Sequence, residues 1–457
     1  MSRTRFFPRL AVGFGEYARI VFLPDALCLW LCLWAGAVSA ANERHAMLDA
    51  ALATITSEEV RDHAGVLAGD SLEGREAGSR GGRAAAGYLK EQLERIGAKT
   101  GGTDGYSQRF HGTMQNLIAV IPGTDEQVGD EVILIGAHYD HVGYGSRRTS
   151  YGPYGYIHNG ADDNASGVAA MLETIDALVQ IDFRPRRTLL FVFWDGEEKN
   201  LLGSKHWLSN PTVPLEKVKL VINLDMIGRM VEGRVKVGGA RTALGLRELL
   251  SSERLPEGMR LDFSWEYKSN SDHWPFYQRQ IPSLYFHTGL HDDYHRPTDD
   301  VEKLNVEGIR LISQYLVGRL TSLADLDSMP TFRPESHYED IAAQTRLEAP
   351  LPPHTTGDQR QRLGIAWRAD PGEPNSVFIT RVTPGTPAEK AGLAVHDRLL
   401  HFNGVPIEDR DKLLTRVRTS LEEDVDALHF KMERDGRIRY VRVKLREPTQ
   451  ASEDPTL

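Results

Sequence analysis

Cysteine is nearly absent from this chain. Two occur in 457 residues, Cys28 and Cys32, so no disulfide framework, thiolate metal cage or cysteine nucleophile serves anything beyond the first tenth of the sequence. A basic excess is missing too. Lys and Arg number 54 against 64 Asp and Glu, a formal charge of −10, which argues against the basic face that nucleic acid requires. With 26% charged and 40% hydrophobic residues, the composition excludes a disordered, collagen-like or multispanning membrane protein. The length exceeds one ordinary domain and predicts two or three.

What is present begins with a leader. Arg3, Arg5, Arg9 and Arg19 precede an apolar run from Ala26 to Val38, which closes on Val38-Ser39-Ala40. This is the layout of a secretory signal cleaved after Ala40, and the run of about 13 residues is short for a bilayer span. An uncleaved anchor starting near Ile20 is the alternative. Cleavage removes both cysteines, leaves no stable membrane span and suits a periplasmic or secreted protein.

Beyond the leader, residues 41–327 read as one α/β domain. Helices are predicted at Glu58–Leu67, Ser79–Ile96, Ser166–Gln180, Leu201–Leu208, Thr242–Ser251 and Val306–Leu323. Between them lie NLIAVIPG (116–123), EVILIGAH (131–138), TLLFVFWD (188–195) and KLVINLDM (219–226). Such short, nearly continuous apolar runs mark strands buried on both faces, hence a largely parallel sheet covered by helices. Residues 328–359 are Pro-rich and read as a linker, and 360–446 form a second, β-rich unit. The polar end, 447–457, is expected to be disordered.

The strand-like runs end in metal-binding residue types. EVILIGAH ends at His138, followed by Tyr139-Asp140; HNGADDNASG presents Asp162 and Asp163 before a helix; TLLFVFWDG leads to Glu197-Glu198; KLVINLD ends at Asp225; and SLYFHTGLHDDYH leads to His295. A single carboxylate there is ordinarily a cap or turn residue. Five in succession, all imidazole or oxygen donors, supply the set that two neighbouring divalent ions need. Zinc suits this donor set best, with cobalt or manganese as substitutes. Asp140 is placed to orient His138. In Glu197-Glu198, one carboxylate can bind metal while its neighbour takes a proton from water.

The motifs GAHYDH, HNGADDNASG, FWDGEEKNLLGS, NLDMIG, SDHWPFYQ and DYHRPTDD, in this order and spacing, resemble the co-catalytic dizinc aminopeptidases. That family includes aminopeptidase Y and bacterial leucyl aminopeptidases and is related to glutamate carboxypeptidase and glutaminyl cyclase. The resemblance implies a mixed, mostly parallel eight-stranded sheet sandwiched by helices, holding two zinc ions. It implies that Asp162 bridges the metals, that His138 and Asp225 complete one site and Glu198 and His295 the other, and that Glu197 is the general base. It also implies a cis peptide between Asp162 and Asp163. The reaction is then hydrolysis of the N-terminal peptide bond of peptides with a free N-terminus, through a metal-bridging hydroxide.

Other residues stay open. His141 reads as a supporting or structural residue, His273 as near the substrate or at a helix start, and His287 and His291 have no assigned role. Tyr267 is a candidate for polarising the scissile carbonyl, with Lys268 in the same neighbourhood. The stretch Gly143–His158 is either part of the pocket rim or an ordinary surface loop. RLGIAW, VTPGTPAEKAGL and DRLLHFNGVPI resemble a bacterial PDZ domain, in which the amides of Leu363, Gly364 and Ile365 would receive a peptide or protein C-terminus. Two competing functions remain: carboxypeptidase action, for which Arg229 and Arg296 are the nearest cations in sequence, and a PDZ-based binding protein with a structural metal site.

Overall fold

Nine strands build the larger sheet of this computed structural model, which describes residues 43, 45–352, 363–423 and 425–445. The expected signal segment 1–40 and tail 447–457 lie outside the described residues, as do the last part of the expected linker, 353–359, and the first residues of the second unit, 360–362. The elements below all belong to the compact unit Ala51–Leu457.

In chain order the strands are β1 (Lys99–Thr100), β2 (Ser107–Phe110), β3 (Met114–Ile121), β4 (Val132–His138), β5 (Thr188–Trp194), β6 (Val218–Leu224), β7 (Arg234–Gly238), β8 (Arg260–Asp262) and β9 (Ser283–His287). Their order across the sheet is β1-β3-β5-β4-β6-β9-β7-β8, with β2 paired to β3. The expectation of eight strands is corrected to nine. The centre, β5-β4-β6-β9, is parallel, whereas β1, β2 and β7 join by antiparallel pairings. With β7 and β8 also parallel, four of the eight pairings are parallel and four antiparallel, so the sheet is mixed with a parallel centre. Every residue of β4 is buried, as its unbroken apolar run requires of a strand covered on both sides.

The helices are α1 (Ser57–Leu67), α2 (Arg80–Ile96), α3 (Gly167–Gln180), α4 (Leu202–Ser209), the short α5 (Leu246–Leu250) and α6 (Trp274–Tyr277), and α7 (Val306–Ala324). Val132 and Leu134 of β4 pack with Trp194, Trp207 and Phe276 beneath α4 and α6. The alternate residues Ile133 and Ile135 turn toward the opposite face, as the two-residue period of a strand dictates. Helix ends follow local chemistry. Ser79 caps α2 by accepting from the Gly82 amide at 3.1 Å, and Gly97 ends it at φ 78°, a left-handed C-cap that glycine adopts without strain. The helix expected over Thr242–Ser251 forms only at Leu246–Leu250, because Thr242 is used differently: its hydroxyl donates to Gly239 O at 2.8 Å.

The smaller unit carries β10 (Ile365–Ala369), β11 (Val377–Val382), β12 (Arg398–Phe402), β13 (Val405–Pro406), β14 (Ala427–Arg434) and β15 (Arg437–Lys444), in the order β10-β11-β12-β14-β15 with β13 on β12. Leu363, Ile379, Phe402, Leu413, Val417 and Phe430 contribute to its core. The preceding segment is more structured than a linker. It contains a 3-10 turn at Pro334–Tyr338 and the helix α8 (Ile341–Glu348). Buried ion pairs join the two units: Arg241 Nη1 reaches Asp370 Oδ1 at 2.7 Å, and Arg247 Nε reaches Glu433 Oε2 at 2.8 Å.

Candidate metal centre

The parallel centre of the sheet sends its strand ends to one place. β4 ends on His138, β5 leads through Asp195-Gly196 to Glu197-Glu198, β6 is followed by Asp225, and β9 opens the loop that carries His295. The turn before α3 supplies the aspartates. This convergence at the carboxyl ends of parallel strands is where α/β sheets place their sites.

Two groups of potential ligands form there and share one residue. His138, Asp163 and Asp225 make the first; His141, Asp163, Glu198 and His295 make the second, with the ligand atoms of each group within 4.8 Å of one another. His138 Nε2 lies 3.3 Å from both Asp163 Oδ1 and Asp225 Oδ1. His295 Nε2 lies 3.0 Å from Asp163 Oδ2 and 3.2 Å from Glu198 Oε1. Asp163 thus offers one carboxylate oxygen to each group.

The shared aspartate is Asp163 and not the expected Asp162. Asp162 points away: its Oδ1 accepts from the Gly228 amide at 2.5 Å and its Oδ2 faces His291 Nε2 at 3.1 Å. The physical reason is the turn's irregular backbone, where Asp163 and Asn164 leave helical φ/ψ after a left-handed Gly160. The cis peptide shifts by one residue as well, joining Asp163 to Asn164. Asp140 meets His138 mainly through its backbone, accepting from Nδ1 at 3.1 Å, while its carboxylate receives the Glu197 amide at 3.0 Å. One residue therefore positions both the imidazole and the glutamate expected to act as base.

Sequence reasoning understated His141, whose Nδ1 is 2.9 Å from Glu198 Oε1. Its three-residue spacing from His138 was the available signal. Reasoning missed Arg75 altogether. This fully buried guanidinium donates to the carbonyls of Leu67, Tyr139, Asn159 and Gly160, tying together the loops that carry the histidines and aspartates. Asp299 was also missed; it accepts from the amides of Asp162 and Asp163 at 2.9 and 3.1 Å. His295 sits at φ 51°, a conformation costly for a side-chain-bearing residue. Its carbonyl is held by the Tyr151 amide and the Ser150 hydroxyl at 3.1 and 3.0 Å. The Gly143–His158 stretch thereby anchors a candidate ligand.

The electrostatics are those of a cation site. Burial lowers the His138 pKa, but Asp225, Glu197 and Asp163 outweigh it and hold the imidazole well above its ordinary range. Burial likewise opposes His295, yet Glu198 and Asp163 bring it up to about 11. Burial and Asp163 raise Glu198, while His295 and His141 prevail and leave it at about 2. Glu197 goes the other way. Burial lifts its carboxyl well above the usual range, His138 opposes, and Glu198, Asp272 and Asp225 add to the rise. Positive charge is drawn to both groups, and His141 Nε2 is buried without a hydrogen-bond partner. Oxygen and imidazole donors without sulfur fit zinc.

Beside the centre lies a cleft of about 100 Å³, whose lining includes Glu197, Asp225, Lys268, Tyr285, Tyr294 and His295. Tyr267 does not face it as a donor; its hydroxyl is spent on Ser283 O at 2.9 Å. His273 is buried, stacked on Tyr285 with centroids 4.5 Å apart, and does not line the cleft. Arg229 is bound to Asp299 at 2.9 Å, and Arg296 donates to the carbonyls of Tyr151 and Gly152. In the smaller unit, Gly364 sits at φ 87° with Thr386 against it, and its carbonyl accepts from the Thr383 amide, while Leu363 O accepts from Ala388.

Residues 116–318 match the sequence profile of peptidase family M28, and residues 358–445 that of the PDZ domain. The chain is 30% identical over 224 residues to leupeptin-inactivating enzyme 1 of Streptomyces exfoliatus, covering 47% of this chain and 45% of that protein. It is 30% identical over 204 residues to leucine aminopeptidase 1 of Trichophyton equinum, covering 43% and 51%. The chain thus spans about half the length of the curated relatives it matches. Among solved structures, the LapA aminopeptidase of Legionella pneumophila shares the fold with a TM-score of 0.50 at 22% identity, over 61% of this chain and 75% of that one.

Proposed function

Residues 116–318 are a peptidase family M28 region and residues 358–445 a PDZ domain, and from that premise we propose that the protein is a secreted or periplasmic dizinc aminopeptidase. The observation that carries this reading is the pair of ligand groups sharing Asp163, with Glu197 beside them in the same cleft. His138, Asp163 and Asp225 would hold one zinc, and Asp163, Glu198 and His295 the other, with His141 steadying Glu198. Zinc bound there supplies Lewis acidity, polarising the scissile carbonyl and making water a nucleophile near neutral pH.

The chain's own residues do the rest. Glu197, whose pKa is held above the usual carboxylate range by burial and its acidic neighbours against the pull of His138, accepts the proton of the attacking water and returns it to the leaving amine. Its backbone is fixed by Asp140. Tyr294 lines the cleft and stacks on His295 at 4.0 Å; burial and the surrounding carboxylates keep its hydroxyl protonated, so it is the donor available to a carbonyl oxygen, the role once expected of Tyr267. Arg229 and Arg296 are both committed within the protein, which disfavours the carboxypeptidase that would use them as a clamp. The PDZ domain would dock peptide or protein C-termini at Leu363–Ile365. Among the described residues no helix is long and apolar enough to cross a membrane.

The test is hydrolysis of aminoacyl-p-nitroanilides with and without a chelator, on wild type and Glu197→Gln. Loss of the general base should cut kcat by about 100- to 10,000-fold with zinc content intact. Near wild-type turnover in the variant would remove Glu197 from the mechanism, and activity unaffected by chelation would remove zinc.

A further inference from the structure

The cleft that carries Glu197, Asp225 and His295 is also lined by Lys268, Glu266, Asn270 and His287. Lys268 Nζ and Glu266 Oε1 are 2.8 Å apart, and their side chains are 62% and 45% exposed, so the pair meets solvent that a substrate would displace. A second ammonium stands behind it. The antiparallel pairing of β7 and β9 sets Lys236 opposite His287, and a Cβ on Gly289 would come to 4.0 Å from Lys236 Nζ. Among the described residues, no carboxylate lies within salt-bridge distance of Lys236; Glu266, its acidic neighbour, pairs with Lys268 instead.

Lys268 thus lines the cleft beside Glu266 and lowers its pKa, and Lys236 adds a second ammonium close enough to lower that of the same carboxylate, with Asp262 opposite it on β8. His287 adds no charge at neutral pH, because burial, Lys236 and Lys268 lower it to about 4 against the opposing pull of Glu266. A purely apolar side chain entering here would strip water from the lysines and return nothing, a penalty that polar pockets impose on apolar ligands. An anion would gain a charge-assisted hydrogen bond.

We propose that Lys268 and Lys236 make this part of the cleft a carboxylate-recognition subsite for the substrate. This rests on the exopeptidase reading above and names its substrate class. The carboxylate has two possible sources: an acidic side chain, Asp or Glu, on the N-terminal residue, or the terminal carboxylate of a very short peptide. Both would meet Lys268, with Lys236 close by behind Gly289.

The experiment uses the zinc-loaded full chain and reads kcat/KM on Asp-, Glu-, Leu- and Lys-p-nitroanilide, and on the dipeptide Ala-Leu against Ala-Leu amide. The expected result is a preference of about three- to tenfold for the substrate bearing the carboxylate, the range of a partly exposed charge-assisted contact, weakening as salt is raised. A preference for Asp or Glu over Leu assigns the side chain; a preference for dipeptide over amide, with Asp no better than Leu, assigns the terminus. Lys268→Glu should invert the preference and Lys268→Arg should keep it, with zinc content measured on both. Should Lys268→Glu fail to fold, Lys236→Met serves instead and should reduce the preference in the same direction. Leu ahead of Asp and Glu together with equal rates for dipeptide and amide overturns the proposal, as do substrate ratios unmoved by the lysine substitutions. Hydrolysis of none of these substrates by zinc-loaded protein sinks the aminopeptidase reading itself, and this inference with it.

Discussion

Asp162 and Asp163 are adjacent, both buried and both acidic, yet their substitution to asparagine should have opposite signatures. In Asp163→Asn one of the two oxygens becomes an amide, and the charge that serves both groups is lost. Its oxygens are 3.3 Å from His138 Nε2 and 3.0 Å from His295 Nε2, so no single rotamer preserves both contacts. A metal that binds only the native state stabilises it by about 2.7 kcal/mol when free metal is 100 times Kd. Asp163→Asn should lose most of that gain while its metal-free stability changes less. Asp162→Asn should do the reverse. It removes the charge that receives the Gly228 amide at 2.5 Å and faces His291 at 3.1 Å, at a cost of about 1.5–3 kcal/mol for hydrogen bonds to a charged group. Its zinc-induced gain should survive. The assay is urea unfolding with chelator and with excess zinc, alongside zinc content by atomic absorption. If Asp162→Asn abolishes the zinc-induced shift and Asp163→Asn retains it, the placement of the shared ligand is wrong.

The remaining expectations concern what supports the site. Arg75→Met removes the donor to four carbonyls, three of them buried, of which Gly160 O keeps the Ala165 amide; it should cost about 3 kcal/mol and weaken zinc affinity about 10- to 100-fold, read by unfolding and by zinc titration. Asp370, fully buried, accepts from Arg241 at 2.7 and 2.9 Å and from Arg398 at 2.8 Å. Asp370→Ala removes three charge-assisted hydrogen bonds while Arg241 keeps Glu339 and Arg398 keeps Glu348, so it should destabilise by about 1.5–3 kcal/mol, and an unfolding midpoint equal to wild type would contradict the bridging role. Burial raises the Asp370 pKa, but Arg398 and Arg241 outweigh it and hold it below the usual value. The stabilisation is thus fully present above the unfolded pKa of about 3.9 and lost as pH falls toward the folded value. Wild type should lose stability below about pH 4 more steeply than the Ala variant, by the same linkage.

The clamp around the cleft wall explains why the smaller unit matters to the larger one. The segment 261–268 ends in Lys268, and its start is held by the hairpin turn between β14 and β15, where Leu261 N donates to Asp435 O at 2.9 Å. Its middle is gripped by α8 through Gln344, and Arg241 lies 3.8 Å above the Trp265 ring. The PDZ domain and the preceding helix are thereby part of the scaffold that positions Glu266 and Lys268, beyond any peptide they dock.

Local chemistry made much of this legible without coordinates. An unbroken apolar run is buried on both faces wherever it folds, so β4, β5 and β6 and the residues just past their ends could be read directly, and with them His138, Glu197, Glu198 and Asp225. Spacing of motifs located His295, and the lack of cysteine already limited the ligands to oxygen and imidazole. Tertiary structure alone decided which way neighbouring residues face. Asp162 and Asp163 are equivalent as letters; the non-helical turn after Gly160 turns one toward the histidines and the other toward Gly228 and His291. The commitment of Tyr267 to Ser283 O, and of Arg229 to Asp299, likewise depends on partners far along the chain. So do the arginine beneath the site and the lysine beside His287. Arg75 meets carbonyls up to 85 residues away, and Lys236 is set opposite His287 only because β7 pairs with β9. Sequence pattern encodes burial and spacing, which are properties of a segment; side-chain direction and long-range pairing are properties of the folded whole.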